Sequence, residues 1–138
     1  MSRLLFTIFL SLGILFSIAS ATAADKKKAD RFFEMRTYIT HPGKLDDLNK
    51  RFREHTNRIF QKHGMDLIAY WTPTEEGKED TLVYVLAYKS KAARDKAWAA
   101  FKKDPEWQKA FRASRSAGPI VKKVVSRFLT PTDYSPIK

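Results

Sequence analysis

Between residues 32 and 130 the hydrophobic period switches from two to 3.6 and back, twice over, and this alternation constrains the fold most. Phe32 to Thr40 (FFEMRTYIT) alternates and is rich in β-formers, which predicts a strand; His41-Pro42-Gly43 punctuates its end. From Lys44 to His63 the pattern is helical, with Leu45, Leu48, Phe52, Ile59 and His63 on one stripe. Asp46, Lys50, Arg53, Glu54, Asn57 and Gln61 face away, and Gly64 stands where a helix C-terminus favours glycine. Asp66 to Thr72 and Thr81 to Lys89 read as strands joined by PTEEGKED, a hairpin with a longer loop. Ser90 caps the helical KAARDKAWAAFKK. Asp104-Pro105-Glu106 then restarts a helix, with Trp107, Ala110, Phe111 and Ser114 on one face. Gly118-Pro119 breaks it, and Ile120 to Thr130 is a fourth strand.

The order β-α-β-β-α-β, its second helix split at Asp104-Pro105, predicts an α+β, ferredoxin-like split βαβ sandwich. Its sheet is four-stranded and antiparallel, with helices on one face. Each strand then has two faces. Val83, Val85 and Ala87, with Phe33, Met35 and Ile39, form a small aliphatic face suited to packing under helices. Leu82, Tyr84, Leu86 and Tyr88, with Glu34, Arg36 and Tyr38, form an aromatic face with embedded charge. A surface so aromatic is expected to be covered by a second subunit, to line a pocket, or both.

Composition bounds the rest. At 138 residues the chain has room for one ordinary domain, and 13% aromatic content supplies a core. The absence of cysteine excludes disulfides, thiolate metal sites and cysteine nucleophiles. A net charge of +11 first suggests nucleic acid. The N-terminus argues against that partner. Arg3, the apolar run Leu4 to Ile18 and the small-x-small Ala21-Thr22-Ala23 are the three parts of a secretory signal peptide, residues 1–23. Lys26, Lys27 and Lys28 just beyond it oppose export, so an N-terminal membrane anchor is the alternative. Residues 24–31 read as a solvated basic tether, and 32–138 as the domain. An exported protein, periplasmic or secreted, leaves nucleic acid behind. The basic excess then serves solubility or weak attraction to an anionic membrane surface.

EMRTYITHPGKLDDLNKRF, His55, Tyr70-Trp71, LVYVLAYKS with Arg94, and DPEWQKAF follow one another in an order and spacing that resemble the NIPSNAP family. The most specific pieces are Arg36 to Lys44 (RTY-x-x-x-PGK) and Asp104-Pro105-Glu106-Trp107, with Phe128-Leu129-x-Pro131 and Tyr134-Ser135-Pro136 resembling the family's ending. The resemblance implies a homodimeric α/β barrel in which two ferredoxin-like sheets pair face to face. It implies no settled activity. Eukaryotic relatives are tied to mitochondria, vesicle trafficking and autophagy, roles that an export signal argues against carrying over. Cousins with the same barrel include cofactor-independent monooxygenases and haem-handling proteins, and shared fold is only an analogy for chemistry.

Within such a barrel two sets of residues carry chemistry. His55 flanks the apolar stripe of the first helix, three residues after Phe52 and four before Ile59. It is either a general base or ligand contact, or a half-buried histidine making one hydrogen bond. Arg36, Tyr38, Tyr84 and Tyr88, with Trp71 beside them, would bind a ligand whose acid group meets the arginine and whose apolar body meets the rings. The plain alternative pairs Arg36 with an acid such as Glu34 of the partner subunit. Trp107 is a core anchor, and Glu54 with Arg58 a weak surface pair. His41, His55 and His63 are too dispersed for a metal, and no motif calls for a cofactor. Two main functions follow: binding of a small, partly apolar ligand or a partner, or cofactor-independent monooxygenase or isomerase chemistry using His55 with Arg36 and Tyr38. A third is peripheral binding to an anionic envelope surface.

Overall fold

The computed structural model describes residues 31–138; the expected signal peptide and most of the basic tether lie outside the described residues. Strands β1 (Phe32–Thr40), β2 (Asp66–Trp71), β3 (Thr81–Tyr88) and β4 (Val121–Leu129) fall where alternation places them. They form one sheet in the order β2-β3-β1-β4, and every neighbouring pair is antiparallel. That order is the ferredoxin-like one expected from the element sequence. Arg31, expected in the tether, is instead engaged: it pairs with Asp66 at 3.5 Å and lies over the Phe33 ring.

The first helical stretch is one rod in three parts: α1 (Leu45–Arg51), a π-helical turn (Phe52–Thr56) and α2 (Asn57–Lys62). The wider turn breaks the regular ladder, and the Thr56 hydroxyl donates to the Arg51 carbonyl at 3.2 Å. Gly64 takes φ +76° after the rod, a left-handed conformation that a glycine adopts without a Cβ penalty. Helices α3 (Lys91–Lys103) and α4 (Pro105–Ala113) start as the sequence predicts. Ser90 Oγ accepts from the Ala93 amide, and Asp104 Oδ1 accepts from the amides of Glu106 and Trp107. Among the described residues no helix is long and apolar enough to cross a membrane.

The helices cover the face opposite to the one expected. The core joins Leu48, Phe52, Ile59, Phe60, Trp98 and Phe101 of the helices to Leu82, Tyr84, Leu86 and Tyr88 of β3. Burying each of these side chains contributes about 1.5–3 kcal/mol. The reason is mutual shape: Tyr84 meets Phe52 at 5.2 Å, Tyr38 at 5.3 Å and Phe60 at 6.2 Å between ring centroids, edge-to-face or tilted. Aromatic residues of the helices interlock with aromatic residues of the sheet, and no second subunit is needed to cover them. The aliphatic face, with Val83 and Val85 half-buried and Trp71 and Leu129 exposed, is the open one.

Candidate functional site

Two buried charge centres sit side by side in the layer between sheet and helices. At the first, Glu34 of β1 is fully buried, and five side chains donate to it. Arg94 contributes Nε and Nη2 at 2.9 and 2.7 Å, and Arg36 contributes Nη1 at 2.7 Å. Ser126 Oγ, the Trp98 indole N–H and the Tyr88 hydroxyl complete the set at 2.9, 3.0 and 3.1 Å. Burial alone would raise the Glu34 pKa. The Arg94 hydrogen bond, then the charge and hydrogen bond of Arg36, then Ser126, outweigh it and hold the carboxyl at about 2. Arg36 therefore does pair with Glu34, but within its own chain.

Arg36 also reaches the second centre. Its Nη2 donates to the Tyr38 hydroxyl at 3.4 Å, and its guanidinium lies 4.3 Å over the Trp98 ring. Beyond Tyr38 lies a cavity of about 280 Å³ between β1, β4 and the helices, walled by Phe52, Phe60, Trp98, Phe101, Trp107 and Phe111. Lys102 and the exposed Val124 of β4 also border it. Tyr84 meets Tyr38 edge-to-face; among the described residues its buried hydroxyl has no hydrogen-bond partner, and burial pushes its pKa well above the usual tyrosine value.

Arg51, the last residue of α1, enters this cavity although it is only 4% exposed. Its Nη1 donates to Ser114 Oγ at 3.2 Å, and its guanidinium lies 5.4 Å from the ring centroids of both Trp107 and Phe111. Among the described residues no carboxylate comes within ion-pairing distance of it, and its Nε has no partner. Burial lowers its pKa from the ordinary arginine value. The nearby Tyr38 and Tyr84 hydroxyls oppose that shift, and the like charge of Arg115 adds to it. On its other side Arg51 borders an outer groove of about 320 Å³, shared with Asp47, Lys50, Glu54, His55 and Ser114.

The expected ligand-binding residues are thus divided. Arg36, Tyr38 and Tyr84 come together, and of the three Tyr38 lines the cavity while Arg36 and Tyr84 lie behind it. Tyr88 belongs to the Glu34 cluster. His55 lies in the outer groove with its side chain 43% exposed, 3.9 Å from Glu54, and is not beside Arg36 or Tyr38. Trp71 stands on the open face of the sheet, where it borders an apolar depression with Phe33, Val85 and Leu129. Arg58 bonds Glu106 rather than Glu54. Arg51 is a site residue that only its spacing marks: it follows Leu48 by three residues and adjoins Phe52, which puts a charge on the buried stripe.

Sheet order, split second helix and sheet–helix layer define an α+β domain of the ferredoxin-like class. The NIPSNAP family profile matches residues 33–136, and the chain belongs to that family. Protein NipSnap homolog 3A of Pongo abelii is 27% identical over 95 residues, 68% of this chain and 38% of that protein. The chain thus spans less than half the length of that curated relative. A NIPSNAP family protein of unknown function from Agrobacterium tumefaciens superposes with a TM-score of 0.69 at 23% identity, over 79% of this chain and 95% of that one. SnoaB, a cofactor-independent oxygenase from Streptomyces nogalater, shares the fold at a TM-score of 0.54 and 15% identity, over 78% and 99%.

Proposed function

We propose that this protein is a binding domain for a small, partly apolar ligand, held in the cavity between sheet and helices. The observation that carries the reading is a ring-walled cavity of about 280 Å³ bordered by a buried guanidinium whose Nε has no partner among the described residues. Such a combination, apolar walls with a few convergent polar atoms, is how small-molecule sites are built. The open sheet face, apolar around Phe33, Val85, Trp71 and Leu129, supports a homodimer in which a second copy covers it. The N-terminal apolar run and its small-x-small site support export. Oxygenase or isomerase chemistry built on His55 draws no support from the geometry, because His55 stands apart from Arg36 and Tyr38.

Trp98 and Trp107 line the cavity, so their fluorescence reports its occupancy. Titration with naphthalene, indole and medium-chain acyl probes is expected to give saturable quenching, weakened by Val124→Phe at the cavity border. Absence of a saturable response across the whole panel would overturn the ligand reading. Light scattering on the domain is expected to report a dimer, and a strict monomer at micromolar concentration would sink that part.

A further inference from the structure

The charge of the ligand can be read from Arg51, an inference that rests on the cavity being a binding site. A buried guanidinium without a counter-charge is costly, because desolvation is not repaid by an ion pair. Here it is nevertheless held in place. Trp107 and Phe111 lie at 5.4 Å from it, and Ser114 Oγ fixes its Nη1. The proton of that hydroxyl is committed, since it donates onward to the Phe111 carbonyl at 3.1 Å. What remains is the Nε–Nη2 edge: among the described residues Nε has no partner, and the only side-chain hydrogen bond of Arg51 is the one from Nη1. Two parallel N–H groups match the two oxygens of a carboxylate.

The surroundings select a monoanion. The outer groove beside Arg51 contains the C-terminal end of α4 at Ala113 and Ser114, where helix carbonyls concentrate negative potential. Asp47 and Glu54 border the same groove and outnumber its one lysine, Lys50. A phosphate dianion would meet both unfavourable fields, whereas a single negative charge shared with Arg51 meets them least. Because Arg51 borders both spaces, a carboxylate bonded to it would place an apolar body among the rings and leave the head beside the groove.

We infer that Arg51 receives the carboxylate of an aromatic or acyl acid through its Nε–Nη2 edge. Fluorescence titration of 2-naphthoate against 2-naphthylmethanol and 2-naphthyl phosphate tests this. The wild-type chain is expected to bind the acid at least about tenfold more tightly than the alcohol, the gain of a charge-assisted bidentate pair. Arg51→Met should bring acid and alcohol to equal affinity while the alcohol still binds. Arg51→Lys keeps the charge without the planar edge and should recover only part of the preference, which also secures the test if Arg51→Met does not fold. Equal binding of acid and alcohol by the wild type overturns the inference while leaving the cavity reading intact. Tighter binding of the phosphate overturns the carboxylate assignment. Absence of binding by all three removes the cavity reading and the inference together.

Discussion

Around Glu34 the molecule aims five side-chain donors at one carboxylate, whereas around Arg51 it offers a guanidinium one hydroxyl and two rings. Both charges are buried in the same layer. One centre is closed on itself and joins β1, β3, β4 and α3. The other is open, with a donor left over and a cavity bordering the residue that carries it. The contrast separates a charge that holds the fold from one available to a ligand.

The comparison can be broken in four ways. The largest effect is expected from Glu34→Ala, which strands two guanidinium groups beside an indole. A loss of about 3–5 kcal/mol in urea unfolding follows from removing one partner of a buried pair. A loss below about 1 kcal/mol would remove Glu34 from the structural role. Next is acid. The Glu34 carboxyl sits at about 2 when folded against 4.5 ordinarily, so its contribution is fully present above the ordinary value and vanishes as pH falls towards 2. The full shift corresponds to roughly 3 kcal/mol, of which about 2 kcal/mol is lost between pH 7 and pH 3 in unfolding experiments. Asp104, also lowered to about 2 by Lys62 and then His63, titrates in the same window. The Glu34→Gln variant isolates the Glu34 share by flattening only that part of the slope.

Third is Arg51→Met, with the opposite sign. Removing a buried cation that has no counter-charge among the described residues should stabilise the ligand-free protein by about 1–2 kcal/mol, as sites kept for binding often permit. A destabilisation of that size would mean that Arg51 is structural after all. The smallest effect belongs to the exposed Arg58–Glu106 pair between α2 and α4. Arg58→Ala should change the unfolding free energy by less than about 0.5 kcal/mol, the scale against which the other three are read.

Alternation placed the strands to within a residue or two, and the capping residues Ser90 and Asp104 placed the second helix and its break. The face of the sheet that the helices cover was not legible in the same way. It depends on the right-handed β1–helix–β2 crossover together with the parity of each strand, and neither is carried by which side chains look suited to packing. His55 shows a second limit. At the ~100° per residue of an α-helix it falls close to the stripe of Leu48, Phe52 and Ile59. The π-helical turn from Phe52 to Thr56 advances less per residue, so the stripe passes through Thr56 instead and His55 swings to the groove. Arg36, Tyr38 and Tyr84 were found because they share strand parity. Arg51 was missed because the charge sits on a helix, in a position where charge usually means solvent.

The contact that Arg31 makes beyond Asp66 has a consequence for engineering. Its Nε donates to the Lys138 carbonyl at 2.8 Å, so the segment entering β1 and the tail following β4 lie against each other. A short peptide can bridge them. New ends opened at Thr74–Glu75, in the exposed loop between β2 and β3, would then give a circular permutant that retains every strand pairing. In that topology β3 leads the chain and β2 closes it, and the ring-walled cavity is built from one uninterrupted stretch running from α3 through the bridge to α2.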